Sequence, residues 1–293
     1  MRLAALNAGF GAGSAPFAGE IHSVFAHACN IALSSGKLLS LVVREIGAVP
    51  CGFRLATPAG FSFFDHIRAD GAVANRAGLL RIEGSTLSVD LRSAIPWRSN
   101  LDAFPIACSR TEVAAAWHAA WRALVAHGGA APLQRQAGAA INNLVDAAGS
   151  WRAGRIGTAV ERLIGLGDGL TPAGDDFLIG FFAGLTALPP NRQRDAFRKA
   201  LGEKIAAEAA HTGTISRLYL EAALAGEVSE PLAVLAAAIG RGDARGTARA
   251  AAGAMAVGAT SGATASYGLL LAARAAEPAI LRAGEPGPPW SPP

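Results

Sequence analysis

The chain has 293 residues, half of them hydrophobic, and a net charge of +4. That hydrophobic share excludes a disordered protein and supplies one large core or two of ordinary size. The arginines that carry the positive charge are scattered singly, which excludes the clustered basic stripe that nucleic-acid binding uses and leaves only a preference for small anions.

Cys29, Cys51 and Cys108 show neither CxxC nor Cys/His spacing, so a disulfide framework and a structural zinc site are not expected. A reducing cytoplasm is the simpler setting. The N-terminus lacks a basic segment followed by a sustained apolar run, so no signal peptide is expected. Of the two longest apolar stretches, 177–188 is too short to span a bilayer. The other, 250–273, is mostly Ala and Gly, a composition of tightly packed helices. No membrane association is expected.

The first hundred residues read as β. Residues 21–33 and 38–46 are strand-like and flank Ser34-Ser35-Gly36-Lys37, a hairpin turn signal. Short apolar pieces follow at 52–56, 79–82 and 86–91, with Glu83-Gly84-Ser85 as another turn. Strands at this spacing predict a small sheet or barrel. Asn7–Gly19, with Gly9, Gly11 and Gly13, resembles a dinucleotide fingerprint only superficially, because no clear strand precedes it and no βαβ unit follows.

The pattern changes near 105–112. Thr111-Glu112 opens a helix towards His127, with Trp117, Trp121, Leu124 and Val125 on one side, and Gly128-Gly129 ends it. Further helices are predicted at about 133–147, 153–164, 173–187, 192–209, 213–225, 230–239, 243–257 and 262–276. Pro189-Pro190, Gly226, Gly240 and Gly242 punctuate them. The expected architecture is α+β: a β-rich domain over 1–110, an all-helical domain over 111–284, and a disordered tail over 285–293.

The most informative stretch is Gly165–Leu185. Gly165, Gly167 and Gly169 alternate in a loop, and alternating glycines suit a tight irregular turn. Thr171 then reads as a helix N-cap and Pro172 as the first helical residue. Gly174 and the pair Asp175-Asp176 follow, ahead of an apolar run in which Gly180 and Gly184 admit a close neighbour helix.

The loop contains a conflict. Free N–H groups at a helix N-terminus favour an anion, yet Asp168, Asp175 and Asp176 sit in the same place and repel one. The acids can serve as caps, hold Mg²⁺, or bind the N–H groups of an amide- or carbamoyl-type ligand. Successive helical residues point about 100° apart, so Asp175 and Asp176 cannot comfortably face one ligand.

Two smaller clusters accompany this one. Thr260-Ser261-Gly262 looks like a second loop-to-helix junction, which would make a composite anion site with the first. His211-Thr-Gly-Thr-Ile-Ser-Arg217 reads as a helix start, with Arg217 able to clamp an anion. His22, His27, His66, His118 and His127 make no metal spacing, and no nucleophile elbow, Walker sequence or zincin motif occurs.

On these residues the chain resembles the bacterial AllH-like family, which includes the AllH subunit of oxamate carbamoyltransferase. The resemblance is carried by the run from Gly165 to Asp176, Gly-x-Gly-x-Gly-Leu-Thr-Pro-x-Gly-Asp-Asp. It is supported by His22-Ser-Val-Phe25, Asn30, the GEVSEPL segment from Gly226 to Leu232, and Thr260-Ser261-Gly262. Ala259 and Thr264 stand where the family pattern commonly has His and Asp.

The resemblance implies a part in purine (allantoin) breakdown, through an assembly that interconverts oxalurate and phosphate with oxamate and carbamoyl phosphate. Two other kinds of subunit belong to that assembly. It implies small planar anionic ligands, seated by Gly165, Gly167, Asp168, Gly169, Thr171, Gly174, Thr260, Ser261, Gly262 and Asn30. Asp175 or Asp176 would act on the carbamoyl amide.

No cofactor is expected beyond an optional Mg²⁺ on Asp168, Asp175 and Asp176. A metal-dependent hydrolase using those acids, and a non-catalytic binding or scaffolding subunit, are the competing readings. The acids narrow a phosphate-type loop to one that needs a metal or an amide, and the resemblance favours the amide.

Overall fold

The computed structural model of the chain describes residues 1–13, 15–101, 109–189 and 191–276. Cys108, Pro190, the tail from Glu285 and the first half of the expected transition at 105–112 lie outside the described residues. The chain divides into two compact units, Met1–Ser99 and Asn100–Pro293.

The first unit is a closed barrel. Its strands are β1 (Arg2–Ala8), β2 (Phe17–Val24), β3 (Ala28–Leu33), β4 (Leu38–Val42), β5 (Gly52–Leu55), β6 (Ala72–Arg76), β7 (Leu79–Ile82), β8 (Ser88–Asp90) and the two-residue β9 (Ile95–Pro96). Around the ring the order is β5-β4-β3-β2-β6-β7-β8-β1, and β1 returns to β5 to close eight strands. The short β9 extends the same edge of β1 beyond β8. Pairing is antiparallel except at β4–β5, β1–β8 and β1–β9. The interior is filled by alternate side chains such as Ile21, Ile31, Leu41, Phe53, Leu80 and Val89, as an eight-stranded barrel requires.

Two departures from the sequence reading concern this unit. The strand-like run 21–33 is two strands, because Phe25 to His27 form the connection between β2 and β3. The Gly9–Gly13 segment does follow a strand, β1, but it leads into β2 and not into a helix, so the nucleotide fingerprint fails on its second half. The glycine there serves packing: a Cβ on Gly9 would lie 2.0 Å from the Val49 carbonyl oxygen.

The second unit is all-helical. Among the described residues its helices are α1 (Arg110–His127), α2 (Ala131–Gly149), α3 (Ile156–Leu163), α4 (Ala173–Ala187), α5 (Arg192–Glu208), α6 (Thr214–Leu224), α7 (Glu230–Gly240), α8 (Ala244–Met255) and α9 (Ser261–Ala276). The α+β expectation therefore holds. Helix α1 starts one residue earlier than Thr111-Glu112 implied. Ser109 is its cap, in a capping box with Glu112 that satisfies two orphan N–H groups.

Helix α4 is apolar on all sides, so it is the central helix of its unit. Phe177, Leu178, Phe181 and Leu185 are fully buried. Its neighbour α9 comes so close that backbones touch. A Cβ on Gly180 would lie 1.8 Å from the Ala265 carbonyl oxygen, and one on Gly268 would lie 2.2 Å from that of Phe177. Arg194, buried at the start of α5, donates to the Leu188 and Pro189 carbonyls beyond the C-terminus of α4. A cation there also complements the negative end of the helix dipole.

Candidate functional site at the start of the central helix

Residues 164–172 connect α3 to α4 and make the glycine loop. Gly165, Gly167 and Gly169 have φ of 70°, 112° and 94°, the left-handed side of backbone space, where residues with a Cβ are strained. The first two are held sterically as well, since a Cβ would lie 2.8 Å from the His211 carbonyl oxygen and 2.9 Å from the Ala173 nitrogen. Gly169 has open space around its Cβ position, so only its φ demands glycine.

The loop takes up part of the helix N-terminus. Gly174 donates its N–H to the Leu166 carbonyl at 2.9 Å, and Asp175 and Asp176 donate theirs to the Pro172 carbonyl. Thr171 is not the N-cap: that position is Pro172, which has no side-chain donor or acceptor to offer, and the helix begins at Ala173. The Thr171 hydroxyl is engaged elsewhere. It meets the Ser261 hydroxyl at 2.9 Å, across 90 residues of sequence. Thus the two clusters singled out in the sequence, 165–176 and 260–262, are joined by one side-chain contact at the starts of α4 and α9.

Asp175 and Asp176 point apart, as the helical repeat requires. Asp175 is fully buried. Its Oδ1 accepts from the Gly165 N–H at 2.9 Å, and its Oδ2 accepts from the Ser216 hydroxyl at 2.6 Å and from the Thr212 hydroxyl. It therefore ties the loop entrance to α6. The cluster His211–Arg217 takes part through these two hydroxyls and not through Arg217, which is exposed and lies 3.9 Å from Glu221. Thr212 and Ser216 were not named as site residues from the sequence. Two hydroxyls four residues apart at a helix start were the signal for a shared acceptor.

Asp176 is 6% exposed, and its Oδ2 makes no hydrogen bond. Burial pushes its carboxyl up to about 8, and the neighbouring Asp175 carboxylate adds to the rise, while the Ser261 and Thr171 hydroxyls beside it pull the other way. Burial therefore favours its neutral, protonated form.

Asp168 and Gly169 are exposed on the loop, Thr260 is exposed before α9, and Gly262 packs on α8, where a Cβ would lie 2.0 Å from the Ala254 carbonyl oxygen. Ala259 is exposed and Thr264 is buried within α9. Asn30 belongs to the barrel unit, where it accepts from the Ser40 hydroxyl at 2.7 Å and donates to that of Ser23 at 3.0 Å. Among the described residues no group of three or more His, Cys, Asp and Glu side chains is placed to hold a metal ion. No described helix is long and apolar enough to cross a membrane.

Two family models match the chain. One, described as oxamate carbamoyltransferase subunit AllH, matches residues 163–273 and so takes in the glycine loop, both acids, Thr212, Ser216 and Ser261. The other, the AllH family N-terminal domain, matches residues 5–96, the barrel. No curated protein and no solved structure matches the chain.

Proposed function

The chain belongs to the AllH family, and on that premise we propose that it works as one subunit of an oxamate carbamoyltransferase-type assembly whose small ligand sits at the starts of α4 and α9. The reaction class joins the amide nitrogen of oxamate to the carbamoyl carbon of carbamoyl phosphate, with phosphate leaving and carrying away the nitrogen's proton. On this proposal the chain acts in purine (allantoin) catabolism, in the cytoplasm and beside other subunits.

The observation that carries the reading is Asp176: a buried carboxyl with an unpartnered oxygen, next to two hydroxyls contributed by different elements. A buried polar atom without a partner costs roughly 1–3 kcal/mol, a burden that a ligand-binding role explains. Asp175 has the complementary role of holding the loop and α6 in place. Such a site works by positioning and electrostatics, with no covalent intermediate on the protein. The metal-dependent hydrolase is not favoured, because Asp168 lies exposed on the loop while Asp175 is consumed by its three donors.

The test is co-purification of the full chain with its partner subunits, followed by a carbamoyl-transfer assay with and without Asp176→Ala. Transfer that persists unchanged in the variant would remove Asp176 from the site. An assembly that transfers no carbamoyl group would overturn the functional reading itself.

A further inference from the structure

Resting on that reading of the site, we infer that Asp176 is its specificity-determining residue and that its carboxyl group pairs edge-on with a terminal C(=O)NH₂ group of the ligand. A neutral carboxyl offers one donor and one acceptor side by side, O–H and C=O. A primary amide or carbamoyl group offers the complementary edge, C=O and N–H. The two close a ring of two hydrogen bonds, which a carboxylate, lacking a donor, cannot reproduce.

The surroundings disfavour an anionic group against Asp176 itself, and so leave the amide end of oxamate to face it, in three ways. Two of the N–H groups that would ordinarily seat one at a helix start, those of Gly174 and Asp175, are already donated to Leu166 and Pro172. The adjacent Asp175 carboxylate repels negative charge. The other groups flanking Asp176 are the Thr171 hydroxyl from the loop and the Ser261 hydroxyl from α9, both uncharged. These two are bonded to each other at 2.9 Å, and either can donate. A ligand can exchange that contact for its own by rotation of two side chains, one of them on a half-exposed loop residue.

The burial of Asp176, which favours its protonated form, is then what makes the pairing work at neutral pH. The conflict of acids in a phosphate-type loop disappears: one acid is locked into structure, and the other serves as an uncharged partner.

The experiment is isothermal titration of the full chain, co-purified with its partner subunits, against oxamate, oxalate and N,N-dimethyloxamate. Oxalate replaces the amide by a second carboxylate, and the dimethyl compound removes the N–H donors. Oxamate is expected to bind at least about tenfold more tightly than either, the effect of losing the N–H donor and leaving the carboxyl C=O without its partner. Asp176→Asn keeps a donor–acceptor edge and is expected to retain oxamate binding, while Asp176→Leu loses at least about tenfold.

In the unaltered chain oxamate affinity should fall by about tenfold per pH unit above about 8. In Asp176→Asn it should be flat. Oxalate binding as tightly as oxamate, or Asp176→Leu binding oxamate like the unaltered chain, overturns the inference. Carbamoyl transfer measured on the same preparation separates the two levels. Transfer with no preference for the amide sinks the pairing alone, whereas no transfer and no oxamate binding sink both the pairing and the functional reading.

Discussion

Asp175 and Asp176 are consecutive on α4, yet Asp175 accepts three hydrogen bonds and Asp176 keeps an oxygen that accepts none. Neither residue is exposed, so the difference is one of partners and not of burial. It gives the two acids opposite effects on stability.

Replacement of Asp175 strands its donors. In Asp175→Ala the Gly165 N–H and the Thr212 and Ser216 hydroxyls lose their acceptor together, and Ser216 is fully buried. The expected loss is on the order of 3 kcal/mol, read as a lowered urea midpoint. Asp175→Asn retains an acceptor and should lose less. Equal midpoints for Asp175→Ala and the unaltered chain would remove Asp175 from the clamp.

Asp176 behaves in the reverse sense. Its carboxyl ionises near 3.8 when unfolded and near 8 when folded, so the native state holds the extra proton between those values. Stability therefore declines as pH rises from about 4 to about 8 and levels off above. Asp176→Asn removes this slope. The variant should gain on the unaltered chain across that window, reaching on the order of a few kcal/mol at pH 8, as measured by denaturation at a series of pH values. A difference that stays constant with pH contradicts the buried neutral acid.

The glycines divide into two classes that alanine should separate. Gly180→Ala and Gly268→Ala drive a Cβ into a facing backbone and should fail to give soluble protein or lose more than about 3 kcal/mol. Gly169→Ala meets only the conformational penalty of a positive φ, roughly 1–2 kcal/mol. A thermal melt of the three variants ranks them.

Thr171→Val removes the hydroxyl contact to Ser261 and one of the two groups that ease the ionisation of Asp176. Stability should drop by about 1 kcal/mol, and the upper end of the pH-dependent window should move upwards. A window that stays in place places the hydroxyl outside the reach of the carboxyl.

Much of this was legible in the sequence where local signals and long-range packing agree. The limits of α4 follow from Pro172 on one side and Pro189 on the other, and α9 from the glycines that face it. The barrel was harder. Strands β1 and β6 are weakly patterned, and they are fixed by pairing with strands distant in sequence, β5 and β8 for the one, β2 for the other. At the site, the motif located the right helix start but misassigned Thr171, since a cap and a partner for Ser261 look identical until 90 intervening residues are folded. The protonation of Asp176 depends on burial by those same residues, and a linear pattern carries no measure of that.

The backbone contact between α4 and α9 has a mechanical consequence. Side chains can change rotamer to absorb a shift, but the carbonyl of Ala265 against Gly180 and that of Phe177 against Gly268 have no such freedom. The two helices thus form a single stiff beam, with Asp176 and Ser261 at the same end. A subunit that pressed on any part of α9 would move Asp176 and Ser261 as a unit, and the amides of both helices should open to solvent exchange in one cooperative event.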